Sequence, residues 1–249
     1  MQRRFAIILG GGRSARMGRD KRSLQLDGRS LLARAVDACA ARELIIAVTP
    51  DLPDDVGADR VTCTLEDPPF GGPVAGIAAG MAALPPAQPG DEVLLLACDL
   101  PHVAEIVAVL DAAPLVEWVE TEAATEVSTS STSEESKAAD EGLDKLDQRI
   151  ADPEEGLDKL DQRTADPQRA LDQRDALDCV CLVDAEGYPQ YLAARYHRAA
   201  LDAQLAAAGV TRSLSVRRLM AGLNVRQIPA PGIAADVDTP DEARAAGIS

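Results

Sequence analysis

Phe5-Ala6-Ile7-Ile8-Leu9-Gly10-Gly11-Gly12-Arg13-Ser14-Ala15-Arg16-Met17-Gly18-Arg19-Asp20-Lys21 joins an apolar run to a glycine turn and two spaced cations. The run from Phe5 to Leu9 has the length and composition of a buried strand, and Ser30 to Ala41 behind it repeats apolar residues at helical spacing. The glycines therefore lie in a strand-to-helix connection. That geometry suits a phosphate: residues without side chains let backbone N–H groups approach the oxygens closely, and Arg16 and Lys21 can neutralise the charge.

Two familiar phosphate loops fit the spacing poorly. Gly10, Gly12 and Ala15 satisfy the degenerate dinucleotide pattern G-x-G-x-x-G/A, but that loop requires no cations, because a helix N-terminus serves the pyrophosphate. The P-loop pattern fails, since Gly18 is followed by Arg19 and no Ser or Thr follows Lys21. A third type remains: a nucleotidyltransferase loop, with glycines around base and triphosphate and with Arg and Lys on the phosphates being separated.

Outward from this loop, strand and helix candidates alternate. Leu44 to Thr49, Val61 to Leu65 and Val93 to Cys98 read as strands, and Pro73 to Ala83 joins Ser30 to Ala41 as helical. This order predicts an α/β fold of three α/β/α layers on a mostly parallel sheet with right-handed crossovers. Cys179 to Val183 and Gln190 to Ala194, joined by Glu186-Gly187-Tyr188-Pro189, predict a C-terminal hairpin. Arg198 to Ala208 and Ser215 to Leu223 follow as predicted helices. Ligands on such sheets bind beyond the carboxyl ends of the strands. The glycine loop, Asp67 and Asp99 each follow a predicted strand, so all three are expected on one rim.

Composition narrows the partners. Apolar residues make up 46% of the 249, enough for a core, but aromatics are only 2%, so the core must be aliphatic. That scarcity removes a stacking platform for single strands, and a net charge of −16 opposes a phosphate backbone, so no nucleic-acid partner is expected. No apolar run approaches the ~20 residues of a spanning helix, and Arg3-Arg4 precedes too short an apolar run for a signal peptide. No membrane association and a cytoplasmic location are expected. Cys39, Cys63, Cys98, Cys179 and Cys181 read as reduced core thiols. Cys179 and Cys181 share one face of a predicted strand, a metal pair only in principle without a second pair or nearby His. His102 and His197 show no partner spacing and read as structural or solvated.

One segment departs from this pattern. Between Val116 and Leu177 lie 18 acidic and 7 basic residues, and Glu141 to Arg149 recurs as Glu155 to Arg163 with a period of 14. Leu143, Leu146, Ile150, Leu157, Leu160, Thr164 and Leu171 fall on a heptad seam, but Pro153 and Pro167 occupy its d positions and would break a continuous helix. The expectation is one domain over 1–249, interrupted at about 116–177 by a disordered acidic insertion with fleeting helical turns.

Four blocks in order carry a resemblance to a known family. Leu9 to Leu32, including Arg16-Met17-Gly18, Asp20-Lys21, Leu24, Gly28 and Leu31-Leu32, precedes Glu66 to Gly76 (EDPPFGGPVAG) and Cys98-Asp99-Leu100-Pro101. Asp236-Val237-Asp238-Thr239-Pro240 then stands ahead of a short C-terminal helix. Together they resemble the molybdenum-cofactor guanylyltransferase family of the nucleotidyltransferase superfamily, over residues 3 to about 114 and about 178 to 246. The resemblance implies a Rossmann-like nucleotidyltransferase fold. It also implies Mg2+-dependent transfer of GMP from GTP to a molybdopterin-type acceptor, and protein partners of cofactor biosynthesis. Transfer from CTP, an acceptor such as a sugar phosphate or phospholactate, and a non-catalytic nucleotide-binding module docking through the acidic insertion stay open. In the family only a short connection stands where this chain has its insertion.

Residue roles come with the resemblance. Arg16, Lys21 and Asp99 would be catalytic, and Leu9, Gly10, Gly11, Gly12, Asp67, Gly72 and Pro73 would join them in holding the nucleotide. Gly11 stands where cytidylyltransferase relatives tend to carry Ala, which favours guanine; Gly10 replaces the usual family Ala. Asp99 and Asp238 would hold Mg2+, which takes hard oxygen ligands and often only one or two carboxylates. Asp99 stands out on its own, because a purely structural strand would not end an apolar run on a carboxylate. Asp238 has a competing role as cap of the helix opened by Pro240, which Thr239 could fill instead. The acceptor would lie near Pro189, Gln190 and Tyr191, and near the Arg212 to Arg218 region.

Overall fold

β1 (Arg4–Leu9) is hydrogen-bonded along both edges, to β4 (Leu44–Val48) and β6 (Glu92–Ala97), and all three run parallel. In this computed structural model, which describes residues 2–10, 24–115, 177–235, 237 and 239–248, β1 is the middle of the parallel half of the sheet. A strand there has no solvent face, so period-2 alternation sends successive residues into two different cores. Ala6 and Ile8 meet α1 (Leu31–Ala38) and α3 (Val103–Ala112) on one face. Phe5, Ile7 and Leu9 meet α2 (Pro73–Ala82), α4 (Arg198–Ala208) and α5 (Val216–Leu219) on the other.

The seven strands run in the order β5-β4-β1-β6-β8-β7-β9, where β5 is Thr62–Thr64, β7 Cys179–Val183, β8 Pro189–His197 and β9 Val225–Pro229. Only β8 runs against the others, pairing antiparallel with both β6 and β7. The expected three-layer α/β fold with its mostly parallel sheet and hairpin is therefore present. A two-stranded ribbon, β2 (Gln25–Leu26) with β3 (Arg29–Ser30), precedes α1. It packs with α6 (Pro240–Ala245) in a small separate cluster of Leu24, Leu31, Val237, Ala243 and Ile248.

Several elements differ from the sequence expectation. α3 and β9 are additional: Val103–Ala112 is too evenly apolar to show a helical stripe, and β9 carries Arg226 and Gln227 because it closes the sheet edge. Of Ser215 to Leu223 only α5 is helical, and the chain turns through Gly222 at φ +94°. Cys63 is exposed, whereas the other four cysteines are buried core thiols as expected. It lies on edge strand β5, which lacks a covering layer; burial pushes the Cys39 thiol up to about 12. Cys179 and Cys181 do share the face of β7 turned into the second core, where burial raises the Cys179 thiol well above its ordinary value. Most of the acidic repeat lies outside the described residues, which stop at Leu115 and resume at Leu177.

Ion pairs close the pole where the parallel strands begin. Arg3 Nε donates to Asp91 Oδ1 at 2.9 Å, Arg198 Nη1 lies 3.6 Å from Asp91 Oδ2, and both guanidinium groups stand over the Phe5 ring. Beside them the buried Arg195 pairs with Glu92 at 3.2 Å and donates to the Ala113 carbonyl. Burial works to raise the Asp91 carboxyl, but the hydrogen bonds from Arg3 and the Gln88 N–H and the charges of Arg3 and Arg198 outweigh it and hold it below its ordinary value. A depressed carboxylate contributes stability above the unfolded-state value of about 4, which is lost as pH falls through the folded value. Asp91→Asn should therefore cost about 2 kcal/mol at pH 7 in urea denaturation, with the difference from wild type shrinking below about pH 4.

Candidate active site

The four parallel strands β5, β4, β1 and β6 end at the opposite pole, and hydrogen bonds between their exits fix the rim. The Gly10 N–H donates to the Val48 carbonyl at 3.0 Å, the Cys98 N–H to Leu9 at 3.1 Å, and the Thr49 N–H to Thr64 at 2.9 Å. Gly10, Asp67 and Asp99 follow β1, β5 and β6 respectively, so the structure brings the expected rim together. Leu9 is buried under α2, and a Cβ on Gly10 would lie 3.1 Å from Thr49 Cβ. The buried Thr49 thus fills the space an alanine at Gly10 would need, a physical reason for the departure from the family residue. Gly11, Gly12, Arg16, Lys21 and Asp238 lie outside the described residues.

Asp99 is only 7% exposed, an uncommon burial for a carboxylate and one that calls for polar partners. Its carbonyl accepts from the Val237 N–H at 3.2 Å, which ties Val237 to the end of β6. Thr239 caps α6: its Oγ1 accepts from the Glu242 N–H at 3.2 Å, and Glu242 Oε2 accepts from the Thr239 N–H at 2.9 Å. The capping role open to Asp238 is filled by Thr239. Among the described residues no group of three or more His, Cys, Asp or Glu converges on a metal position. His102 faces Glu105 on the surface, and the His197 Nε2 is buried without a hydrogen-bond partner.

Asp67 is exposed in the loop that leads into α2. Gly72 precedes the helix at φ +94°, a conformation that suits glycine, and Pro73 occupies the first turn, where its missing N–H costs nothing. Gly71 is held more tightly: a Cβ there would sit 2.6 Å from Ala75 Cβ. The same loop is fastened from the far side, where Ser213 N–H donates to the Gly71 carbonyl at 2.8 Å and Arg212 Nη1 to Pro68 at 3.2 Å. Composition gave no signal for this fastening, because Arg212 acts through backbone carbonyls.

Pro189, Gln190 and Tyr191 enter β8 from the same pole, since Ala193 pairs with Leu96 near the end of β6. Asp184 organises the turn before them, accepting from the Tyr188 N–H at 2.7 Å and from Gln190 Nε2 at 2.6 Å. Burial raises the Tyr191 hydroxyl and the neighbouring Cys181 and Cys179 add to the rise, while the charge of Arg217 on α5 works against it.

Residues 6–125 match the model of the MobA-like NTP transferase domain. That stretch of the chain is a MobA-like NTP transferase domain. It is 40% identical over 101 residues to the molybdenum cofactor guanylyltransferase of Rhizobium meliloti (strain 1021), covering 39% of this chain and 45% of that protein. It is 37% identical over 118 residues to the probable molybdenum cofactor guanylyltransferase of Synechococcus elongatus, covering 45% and 55%. The matched stretches therefore span about half the length of these curated relatives. In fold, the crystal structure of Rv0371c from Mycobacterium tuberculosis H37Rv superposes with a TM-score of 0.55 at 17% identity, over 99% of this chain and 98% of that one. The family match contains Gly10, Asp67, Gly72 and Asp99, whereas Pro189 to Tyr191 and Asp238 lie beyond it.

The two glycine contacts predict an ordered pair of effects. Gly71→Ala should destabilise by about 2 kcal/mol, because a contact of 2.6 Å forces the start of α2 to move, whereas Gly10→Ala should cost about 1 kcal/mol or less, since Thr49 need give only slightly. Chemical denaturation of both variants checks the order.

Proposed function

We propose that this chain is a Mg2+-dependent guanylyltransferase that moves GMP from GTP to the phosphate of a molybdopterin-type acceptor, releasing pyrophosphate, in the cytoplasm. The observation that carries the reading is Asp99, buried at the carboxyl end of β6, with its main-chain carbonyl bonded to the Val237 N–H. A carboxylate buried at the ligand-binding end of a parallel sheet suits a metal site better than a structural one.

In this reading an acceptor phosphate oxygen attacks the α-phosphorus of GTP in line. The new P–O bond forms as the bond to the bridging oxygen breaks, and negative charge grows on the departing pyrophosphate. Arg16 and Lys21 would meet that charge by fixed electrostatics, with no shifted pKa required. Asp99 and Asp238 would hold Mg2+ as hard oxygen donors, and the cap of α6 is supplied by Thr239. When bound, Mg2+ supplies charge neutralisation at the phosphoryl oxygens. Gly10 and the backbone around Gly72 would cradle the nucleotide, and Asp67 would contact the nucleoside. Pro189 to Tyr191 would seat the acceptor.

Asp99→Asn keeps the shape and removes the charge. It should leave the circular-dichroism spectrum unchanged and lower kcat for pyrophosphate release by about a hundredfold or more. GTP should bind in the presence of Mg2+ more tightly than CTP or UTP in calorimetry. Failure of any nucleotide to bind, or full transfer by the Asp99 variant, would overturn the enzyme reading.

The insertion is expected to be separable from this chemistry. Ala113 and Asp178, which bracket it, sit at the other pole: Ala113 accepts from Arg195, and the Asp178 carbonyl accepts from the His197 N–H at 2.9 Å. Excision of residues 116–177 should change the GTP dissociation constant by less than about twofold, since the described residues on either side of it are bonded at the pole opposite Gly10 and Asp99.

A further inference from the structure

We propose that Gln190, its amide oriented by Asp184, determines specificity by accepting a hydrogen bond from the amino edge of a pterin-type ring on the acceptor, an inference that rests on the guanylyltransferase reading above. The pair stands at the turn between β7 and β8, at the pole where Gly10 and Asp99 emerge. β8 lies between β6 and β7 in the sheet. Its antiparallel register against β6, with Ala193 opposite Leu96, brings the entry at Pro189 and Gln190 toward the end of β6 that Asp99 follows.

The amide has only one orientation open to it. Asp184 Oδ1 accepts from the Tyr188 N–H at 2.7 Å, and Oδ2 accepts from Gln190 Nε2 at 2.6 Å. A carboxylate only accepts, so the donating end of the amide is held against Asp184 and the Oε1 lone pairs are turned away from it. Among the described residues nothing donates to Oε1, and it is not one of the buried side-chain atoms that lack a partner, so a ligand can reach it. The turn does not need the Gln190 bond. Asp184 already closes it through the Tyr188 N–H, while its own N–H donates to the Tyr188 carbonyl at 3.1 Å and its carbonyl accepts from the Gly187 N–H at 3.2 Å.

An oxygen lone pair backed by a carboxylate selects among ligand groups: it repels a phosphate and attracts an N–H donor. In the proposed reaction the acceptor is the substrate that Pro189 to Tyr191 would seat. A pterin-type ring carries its 2-amino group and N3–H side by side on one edge, whereas the acceptor phosphate is the nucleophile and must lie toward the α-phosphorus of GTP. The donor edge of the ring, and not the phosphate, therefore suits Gln190. An amide already held in its binding orientation loses little rotamer freedom when the ligand arrives, which makes Asp184 its positioning residue.

Asp184→Asn keeps an oxygen for the Tyr188 N–H and adds a donor that lets the Gln190 amide turn over, and Gln190→Met keeps the length and removes the amide. In full-length protein with Mg2+, each should raise KM for molybdopterin about tenfold, with GTP affinity in calorimetry and Tm at wild-type values. A second readout is specific to the hydrogen bond. Pterin should compete with molybdopterin about tenfold better than lumazine, which has a carbonyl in place of the 2-amino group, and Asp184→Asn should bring the two inhibitors level. Wild-type KM in both variants, equal inhibition by pterin and lumazine in the wild type, or a lowered Tm with the inhibitor ratio intact would overturn the assignment. So would a fall in GTP affinity at unchanged KM for molybdopterin, because guanine carries the same donor edge. Wild-type protein that bound no nucleotide would overturn the guanylyltransferase reading and this inference with it.

Discussion

The close approach of α2 to the sheet is the constraint on which the rim depends. Gly76 and Gly80 face the strands one turn apart, and a Cβ on Gly80 would lie 2.6 Å from Ile7 Cγ2. Without side chains at these positions, the helix lies directly on β1 and β4, so its first turn arrives beside the exits of the same strands. The Gly71-Gly72 turn, Asp67 and Phe70 are then held at the pole where Gly10 and Asp99 emerge. A larger residue at Gly80 would lift α2 and carry that whole loop away from β1, so the geometry of the candidate site is set from inside the core.

The two poles of the sheet are built by different means. Where the parallel strands begin, buried arginines and carboxylates pair across Asp91 and Glu92, leaving that end dry and locked. Where they end, backbone hydrogen bonds and glycines keep the surface low, so polar atoms remain within reach of a ligand. This division matches the general rule that open parallel sheets bind ligands at their carboxyl ends.

Much of the fold was legible because β1, β4 and β6 are apolar on both faces, a pattern that only a covered parallel strand satisfies. The glycine turn, Asp67 and Asp99 could be placed on one rim by strand order alone. β9 and α3 were not legible, the first because an edge strand carries polar residues and the second because an evenly apolar helix shows no stripe. Cys63 departs from the core-thiol expectation for a related reason: β5 is a short edge strand, exposed at both Thr62 and Cys63. The fastening of the Phe70 loop by Arg212 and Ser213 runs through main-chain carbonyls some 140 residues away in sequence, and no side-chain pattern records it.

The small cluster joining α6 to the β2–β3 ribbon has a practical consequence. Ile248 bridges to Leu26, and Leu31 donates its N–H to Leu24, so the last turn of the described residues braces the β2–β3 ribbon that leads into α1. A tag or fluorophore fused after Ser249 would pull on the ribbon that leads into α1. A label placed between Leu115 and Leu177 would be anchored, through Ala113 and Asp178, at the pole opposite Gly10 and Asp99 and away from this brace.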